Sequence, residues 1–107
     1  MMKINELLEK YKQEGSDFRG ANLKGLDLKY LVFKGADFRG ADLRSADLRE
    51  TFLQNADFRE ADLTNTDLTG AYLKGVRFQG AKTEYCKVDF SDEEYEEAKE
   101  FIEGLKR

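Results

Sequence analysis

Leucine or phenylalanine occupies every fifth position of this chain from Phe18 to Phe78 without interruption. An α-helix repeats every 3.6 residues and a β-strand every 2, so neither explains the pattern. A small or apolar residue usually stands two places before each of these central residues, and Asp or Asn often stands one place before it. A short fixed repeat predicts a solenoid, in which each unit buries its apolar side against its neighbours. The thirteen central residues are Phe18, Leu23, Leu28, Phe33, Phe38, Leu43, Leu48, Leu53, Phe58, Leu63, Leu68, Leu73 and Phe78.

A second period, of twenty residues, indicates the shape of the coil. Every fourth central residue from Phe18 onward is phenylalanine, and the next two such series contain only leucine. This identity is expected if residues twenty apart stack on one another in successive turns of the solenoid. We therefore predict a square coil with one five-residue unit on each side, and the residues Phe18, Phe38, Phe58 and Phe78 in one internal column.

The tandem motif Ala-Asp/Asn-Leu/Phe-x-x over residues 16–80 resembles the pentapeptide-repeat family and covers 65 of the 107 residues. The resemblance implies an all-β solenoid, a right-handed quadrilateral β-helix, in which the central residue and the residue two before it point inward. Glycine recurs at the last place of the unit, as at Gly20 and Gly40, where a corner needs unusual backbone angles. Some units depart from the motif at the first inward position: Leu26, Leu31 and Val76 are larger, and Ser16, Thr51 and Thr66 are polar.

Both flanks of the repeats have helical patterns that could cover the apolar ends of a solenoid. Apolar residues at Ile4, Leu7, Leu8 and Tyr11 follow a helical spacing. The run Ser91-Asp92-Glu93-Glu94 is a capping box. We predict an N-terminal capping helix in residues 1–15, the β-helix in residues 16–85, and a C-terminal capping helix in residues 86–107.

Residue types argue against catalysis. The chain contains no His and one cysteine, Cys86, which is interpreted as a packing residue because no base is available to activate it. Nothing combines a nucleophile, a base and an orienting group, so we predict no enzyme, no cofactor and no small-molecule substrate. There is also no apolar run long enough for a membrane span or a signal region, which favours a cytoplasmic protein without membrane contact.

The charged residues follow the repeat. Asp17, Asp37 and Asp57 should form one column beside Arg19 and its counterparts, at about 4.8 Å per turn of the coil. Such columns predict solvated ladders of opposite charge rather than a metal site, because the basic groups compete for the carboxylates. Residues 16–80 carry ten acids and ten bases, so the coil itself is neutral.

The neutral charge of the coil bears on the function of some members of the family. Those members resemble DNA, bind DNA gyrase or topoisomerase IV, and protect the enzyme from quinolones. Such mimicry requires an extended acidic surface, because DNA carries one charge per about 1.7 Å. The coil is predicted to be roughly 16 Å long at strand spacing, against about 34–36 Å for a turn of DNA. The resemblance therefore leaves gyrase binding as the alternative function. Direct binding of nucleic acid is not predicted, because no basic face stands apart from its acidic neighbours.

One column breaks the outward pattern. The position before the centre is Val32, Phe52 and Tyr72 on the fourth side, and Tyr30 lies at the adjoining corner. Exposed contiguous apolar surface usually marks a contact site. Two interpretations remain open: a terminal segment of this chain covers the column, or it binds a protein partner or a second copy in a homodimer. We predict a non-catalytic interaction or scaffolding module that binds through Tyr30, Val32, Phe52 and Tyr72.

Overall fold

The computed structural model describes residues 16–89, and these form a β-helix with four sides. In each unit the residue before the centre pairs in parallel with the residues twenty positions away, from Asp17 with Asp37 to Asp67 with Lys87. Within 16–89 every β element is a single bridge residue, and there is no α-helix. The successive coils are residues 16–35, 36–55, 56–75 and the partial coil 76–89.

We number the four sides by their central residues. Side 1 contains Phe18, Phe38, Phe58 and Phe78; side 2 contains Leu23, Leu43 and Leu63; side 3 contains Leu28, Leu48 and Leu68; side 4 contains Phe33, Leu53 and Leu73.

Backbone hydrogen bonds join each coil to the next in a regular alternation. The central residue donates toward the following coil, as Leu48 N does to Asp67 O at 2.8 Å, and the residue before it donates to the preceding coil, as Asp47 N does to Leu26 O at 2.9 Å. The backbone is thereby satisfied even though no strand is longer than one residue. Outward side chains twenty residues apart consequently stack in register.

The corners use left-handed backbone at the last place of the unit. Glycines there have φ between 63° and 75°, which confirms their predicted role. The turn is closed by a bond such as Ala41 N to Phe38 O at 3.0 Å, and a positive φ at its third residue is what a type II turn requires. Tyr30 occupies a corner with φ 68°, where a bulky side chain is unfavourable.

Stacked phenylalanines fill side 1 of the core, as the period of twenty predicts. The ring centroids of Phe18 and Phe38 lie 4.9 Å apart, those of Phe38 and Phe58 4.7 Å, and those of Phe58 and Phe78 5.7 Å, all within 8° of parallel. Leu48 and Leu53 are fully buried in the same core. The inward placement of the central residues is therefore confirmed.

Polar residues at inward positions find partners in the coil backbone. Thr51 donates its hydroxyl proton to Leu48 O at 2.7 Å, and Thr66 donates to Leu43 O at 2.6 Å. Cys86 packs against the apolar core, and burial raises the pKa of its thiol to about 12. A thiol held in its neutral form is a poor nucleophile, in agreement with a packing role for Cys86.

Bridging extends to Lys87, two residues past the boundary at residue 85 that the sequence suggests. The helices predicted in residues 1–15 and 86–107 fall outside the described residues, except for residues 86–89, which belong to the partial coil. In the described part of the chain, no helix is long and apolar enough to cross a membrane.

Candidate protein-contact face

On sides 1, 2 and 3 the residue before the centre supports its own corner. In all nine units of the first three coils, an Asp or Asn side chain there accepts a hydrogen bond from the backbone N–H two residues later. Arg39 N, for example, donates to Asp37 Oδ1 at 3.0 Å. This Asx arrangement stabilises a turn locally. An acceptor at this position therefore serves the fold as well as the surface.

The same aspartates form the predicted ladders of opposite charge. Arg39 donates to Asp37 through Nε and Nη2, at 2.9 and 2.6 Å, and its Nε lies 3.9 Å from Asp57 on the next coil. Arg44 and Arg49 connect two coils in the same way on sides 2 and 3. Each guanidinium thus separates two stacked carboxylates that would otherwise repel each other.

These contacts change the acidity of the carboxylates. The side-chain hydrogen bond from Arg19 lowers the pKa of Asp17 to about 2, and that from Arg44 lowers the pKa of Asp42 to about 2. Asp37, Asp47 and Asp57 also have lowered pKa values, with the hydrogen bonds of their own arginines as the main cause. These five aspartates therefore stay charged through neutral and mildly acidic pH.

Side 4 has no carboxylate at the equivalent position in the three complete coils. Val32 pairs with Phe52, and Phe52 pairs with Tyr72, so the three form one outward column in agreement with the prediction. The rings of Phe52 and Tyr72 are stacked with centroids 4.8 Å apart and planes 2° from parallel. Val32 is 60% exposed and Tyr72 47%, while Phe52 between them is half-buried. We call these three residues the apolar column.

The apolar column replaces a hydrogen bond that the other sides possess. Val32, Phe52 and Tyr72 have no side-chain acceptor positioned for the N–H two residues later, so the nine Asx arrangements have no counterpart on side 4. A hydrogen bond of this kind contributes about 0.5–1.5 kcal/mol. Aspartate would therefore serve the coil at these positions, which makes the apolar residues candidates for a role in contact rather than in folding.

The structure also places a second column beside the first. Lys34, Gln54 and Lys74 follow the central residues of side 4, and both lysines are exposed. Neither lysine forms an ion pair within residues 16–89, in contrast to Lys29 and the arginines of the complete coils; Lys24 on side 2 is also without one. Gln54 Oε1 is buried and has no hydrogen-bond partner within the described residues. This second column was not predicted from the sequence, although its signal is present there: the usual acid two places before each of these residues is absent.

Tyr30 does not belong to the apolar column itself. It occupies the corner between sides 3 and 4 in the first coil, is 64% exposed, and has φ 68°. The apolar column and the lysines form one face, with Tyr30 at its edge. We call the residues of both columns, Val32, Lys34, Phe52, Gln54, Tyr72 and Lys74, the side 4 face.

The carboxylates of sides 1 to 3 do not make a metal centre. Within residues 16–89, no group of three or more Cys, Asp or Glu side chains has the arrangement needed to hold a metal ion. The aspartates are separated by the basic side chains that bind them. The side 4 face is thus the candidate site that best combines exposure with unpaired chemical groups.

Comparison with known proteins identifies the repeat. The sequence matches the family described as pentapeptide repeats over residues 16–55 and 41–80, with eight copies of the unit. The search of the curated proteins gave no match. The two overlapping family matches together span residues 16–80, which is more than half of the chain.

Several solved structures are similar to this chain. Rfr23, a pentapeptide repeat protein from the cyanobacterium Cyanothece 51142, is 27% identical over 70% of this chain and 55% of its own, with a TM-score of 0.47. A pentapeptide repeat protein of the Arabidopsis thaliana thylakoid lumen is 27% identical over 79% of this chain and 72% of its own, with a TM-score of 0.43. QnrB1, a plasmid-mediated fluoroquinolone resistance protein, is 18% identical over 84% of this chain and 55% of its own, with a TM-score of 0.40. The chain spans about half the length of Rfr23 and QnrB1. From the family match over residues 16–80, together with the four-sided coil, this chain is a member of the pentapeptide repeat family.

Proposed function

We propose that this protein is a non-catalytic interaction or scaffolding module, and that the side 4 face is its contact surface. The observation that carries the proposal is the apolar column, which stands where every unit of the other three sides in the complete coils has Asp or Asn. Tyr72 and Val32 are exposed although an acceptor at their positions would strengthen the corner. Selection for contact with another molecule explains this choice better than selection for the coil.

Two features support a protein as the partner. The apolar column is continuous over three coils, and contiguous exposed apolar surface is typical of protein contact sites. Aromatic residues such as Phe52 and Tyr72 are enriched in the buried centres of such interfaces. The proposal includes a cytoplasmic location and requires no cofactor or metal. A second copy of the chain is one partner that it admits.

The test compares partner capture by three immobilised proteins: the unchanged chain, Phe52→Asp and Asn22→Asp. Phe52→Asp places the usual residue of the family in the middle of the apolar column. Asn22→Asp makes a similar charge change at the same place of the unit on side 2, away from the side 4 face. An aspartate buried in an interface without a partner is strongly unfavourable, so Phe52→Asp should lose the captured proteins that the other two retain.

Light scattering measures the molecular mass of the same three proteins and so tests whether the partner is a second copy of the chain. If the chain forms homodimers through side 4, Phe52→Asp should have the mass of a monomer at concentrations where the Asn22→Asp protein is dimeric. Capture and mass that are identical for all three proteins would refute the assignment of side 4 as the contact surface.

A further inference from the structure

The side 4 face combines an apolar column with two lysines, Lys34 and Lys74, that form no ion pair within the described coil. Lys34 and Lys74 flank the apolar column on the same side, and Gln54 lies between them. On the other three sides of the complete coils, an acid at the position before the centre pairs with the base that follows it, as Asp47 does with Arg49 at 2.8 Å, except at Lys24, which follows Asn22. Side 4 supplies no such acid in the complete coils. A molecule that covers the apolar column will therefore meet two lysines that form no ion pair within residues 16–89, while the nearest corner carboxylate, Glu50, lies on the opposite flank of the column.

The spacing of the side 4 face fits a helix better than a strand. Its rungs repeat at the 4.8 Å that separates the rings of Phe52 and Tyr72. An α-helix laid along the column presents one turn per about 5.4 Å. Residues on one face of a strand lie about 6.6–6.8 Å apart. A strand laid along the column would therefore be out of register with the rungs after a single step. Over the two steps from Val32 to Tyr72, a helix deviates from the rungs by only about 1 Å.

The cations add a second condition to this fit. Lys34 and Lys74 are two rungs apart, which corresponds to about 10 Å at this spacing. Residues seven apart in a helix are separated by about 10.5 Å along its axis and lie on nearly the same face. Two carboxylates at that separation, on one flank of an apolar stripe, would meet both lysines together. Such charge pairs determine the orientation of a partner more than its affinity.

Other occupants fit this face less well. Contact between two side 4 faces would bring the lysines of two copies together without an acid on either face. Nucleobases bind aromatic rings through free ring faces. Here the planes of Phe52 and Tyr72 are stacked on each other, so their faces turn toward neighbouring rungs and their edges point outward.

We infer that the side 4 face binds an acidic amphipathic α-helix of a partner protein, with apolar residues at successive turns against Val32, Phe52 and Tyr72 and carboxylates against Lys34 and Lys74. This inference rests on the proposed contact function and names the chemistry of the partner. The helix contributes the apolar surface that covers the column and two negative charges, which the side 4 face lacks.

The test uses the full chain and a fluorescent probe peptide. The probe is an alanine-rich helix with leucine at three successive turns and two glutamates about seven residues apart on one flank. Fluorescence polarisation should show saturable binding to the unchanged chain. The variant Lys34→Glu/Lys74→Glu should weaken it by more than about tenfold, which corresponds to about 1.4 kcal/mol. A probe with lysines in place of the glutamates should prefer the variant, and this exchange of charges excludes simple misfolding as the cause.

The matched control is Lys24→Glu/Lys82→Glu, which makes the same charge change on exposed lysines of side 2. It should bind the acidic probe within about twofold of the unchanged chain at moderate salt, because charges beyond a Debye length of about 8–10 Å are largely screened. Equal loss in the control and in the side 4 variant would refute the inference. Absence of saturable binding would also refute it, whether the face is then occupied by a second copy or by residues 90–107 of the chain.

This experiment separates the inference from the proposed function. If Phe52→Asp loses partners in the capture assay but the acidic probe does not bind, the contact surface stands and the acidic helix is wrong. If neither capture nor probe binding depends on side 4, both are wrong.

Discussion

Sides 1 to 3 and side 4 share one coil and one core but differ in what their outward residues do. On the charged sides, an aspartate such as Asp37 accepts the backbone N–H of Arg39, pairs with its guanidinium, and stacks above the next carboxylate. On side 4 the same place holds apolar residues, and the lysines that follow them have no ion pair within residues 16–89. The repeat therefore specifies the inside of the coil strictly, while the outward residues of side 4 are free to serve another purpose.

Replacing the aspartates by apolar residues on side 4 changes the free energy of unfolding of the coil only modestly. Each Asx hydrogen bond that side 4 lacks would contribute about 0.5–1.5 kcal/mol. The stacked rings of Phe52 and Tyr72, 4.8 Å apart, recover about 0.5–1.5 kcal/mol beyond their buried area. The two contributions nearly cancel at the middle rung. The cost to the coil is therefore confined to the other two rungs, where no second ring pair offsets the missing hydrogen bond.

The largest expected effect separates the inside of the coil from its outside. Leu48 is fully buried between coils, so Leu48→Ala should lower the free energy of unfolding by about 2–5 kcal/mol. Arg49, its outward neighbour, is partly exposed in its ion pair, so Arg49→Ala should cost less than about 1 kcal/mol. Urea denaturation measures both. Equal losses would show that the inward and outward assignments are wrong.

As the pH falls, the charged sides should lose part of their contribution to stability, whereas side 4 has no carboxylate in its outward column to titrate. The pKa of Asp42 is about 2 in the folded coil because of its hydrogen bonds with Arg44, while an unfolded aspartate titrates near 3.9. Between about pH 4 and pH 2, protons therefore bind Asp42 more readily in the unfolded chain than in the folded coil. The contribution of Asp42 to the free energy of unfolding is fully present above about pH 4 and is lost as the pH falls toward 2. Thermal melts should show a falling melting temperature in this window. Asp42→Asn should reduce the slope there, and an unchanged slope would contradict the role of the ladder.

A smaller effect is expected at the corner beside side 4. Tyr30 has φ 68°, and left-handed backbone costs a residue other than glycine about 1–2 kcal/mol. Glycine adds about 0.5–1 kcal/mol of entropy to the unfolded state, so Tyr30→Gly should stabilise the coil by about 0.5–1 kcal/mol. Gly25→Tyr is the reverse change at the preceding corner, where a Cβ would meet no atom within 4 Å, and it should destabilise. Lower stability of Tyr30→Gly would show that the ring packs against side 4.

We expect no effect on DNA gyrase. The carboxylates of sides 1 to 3 are balanced by arginines, and in the partial coil Arg77, Lys82 and Lys87 take the place of the aspartates. The described coil thus lacks the extended acidic surface that an imitation of DNA requires. In a supercoiling assay with a quinolone, the chain should leave inhibition of gyrase unchanged even at high concentration. Protection at modest concentration would favour the alternative function instead.

The four-sided coil was predictable from the sequence because the inward residues repeat with a period of twenty residues as well as one of five. Phe18 and Phe38 stack as that period requires, and the same arithmetic places Phe52 beneath Tyr72. The Asx hydrogen bonds were not predicted, since they depend on backbone geometry at the corner and not on the identity of Asp37 alone.

The lysines of side 4 illustrate a second property, ion pairing, that could not be predicted from the sequence. Ion pairing depends on which side chains meet across coils, as between Arg39 and Asp57 at 3.9 Å. A count of ten acids and ten bases over residues 16–80 indicates neutrality but cannot show that Lys34 and Lys74 lie on an apolar face without an ion pair in the described coil. Whether the apolar column binds a partner stays a prediction.

We propose that the apolar column serves contact and not the coil, and the unfolding free energy of Phe52→Asp distinguishes the two roles. The new carboxylate can accept the N–H of Gln54, as Asp37 does for Arg39, and the loss of ring stacking offsets this gain. Urea denaturation of the variant should give a stability within about 1 kcal/mol of the unchanged chain. A loss of about 2–5 kcal/mol, comparable to that of Leu48→Ala, would contradict the claim and show that the chain itself covers the apolar column.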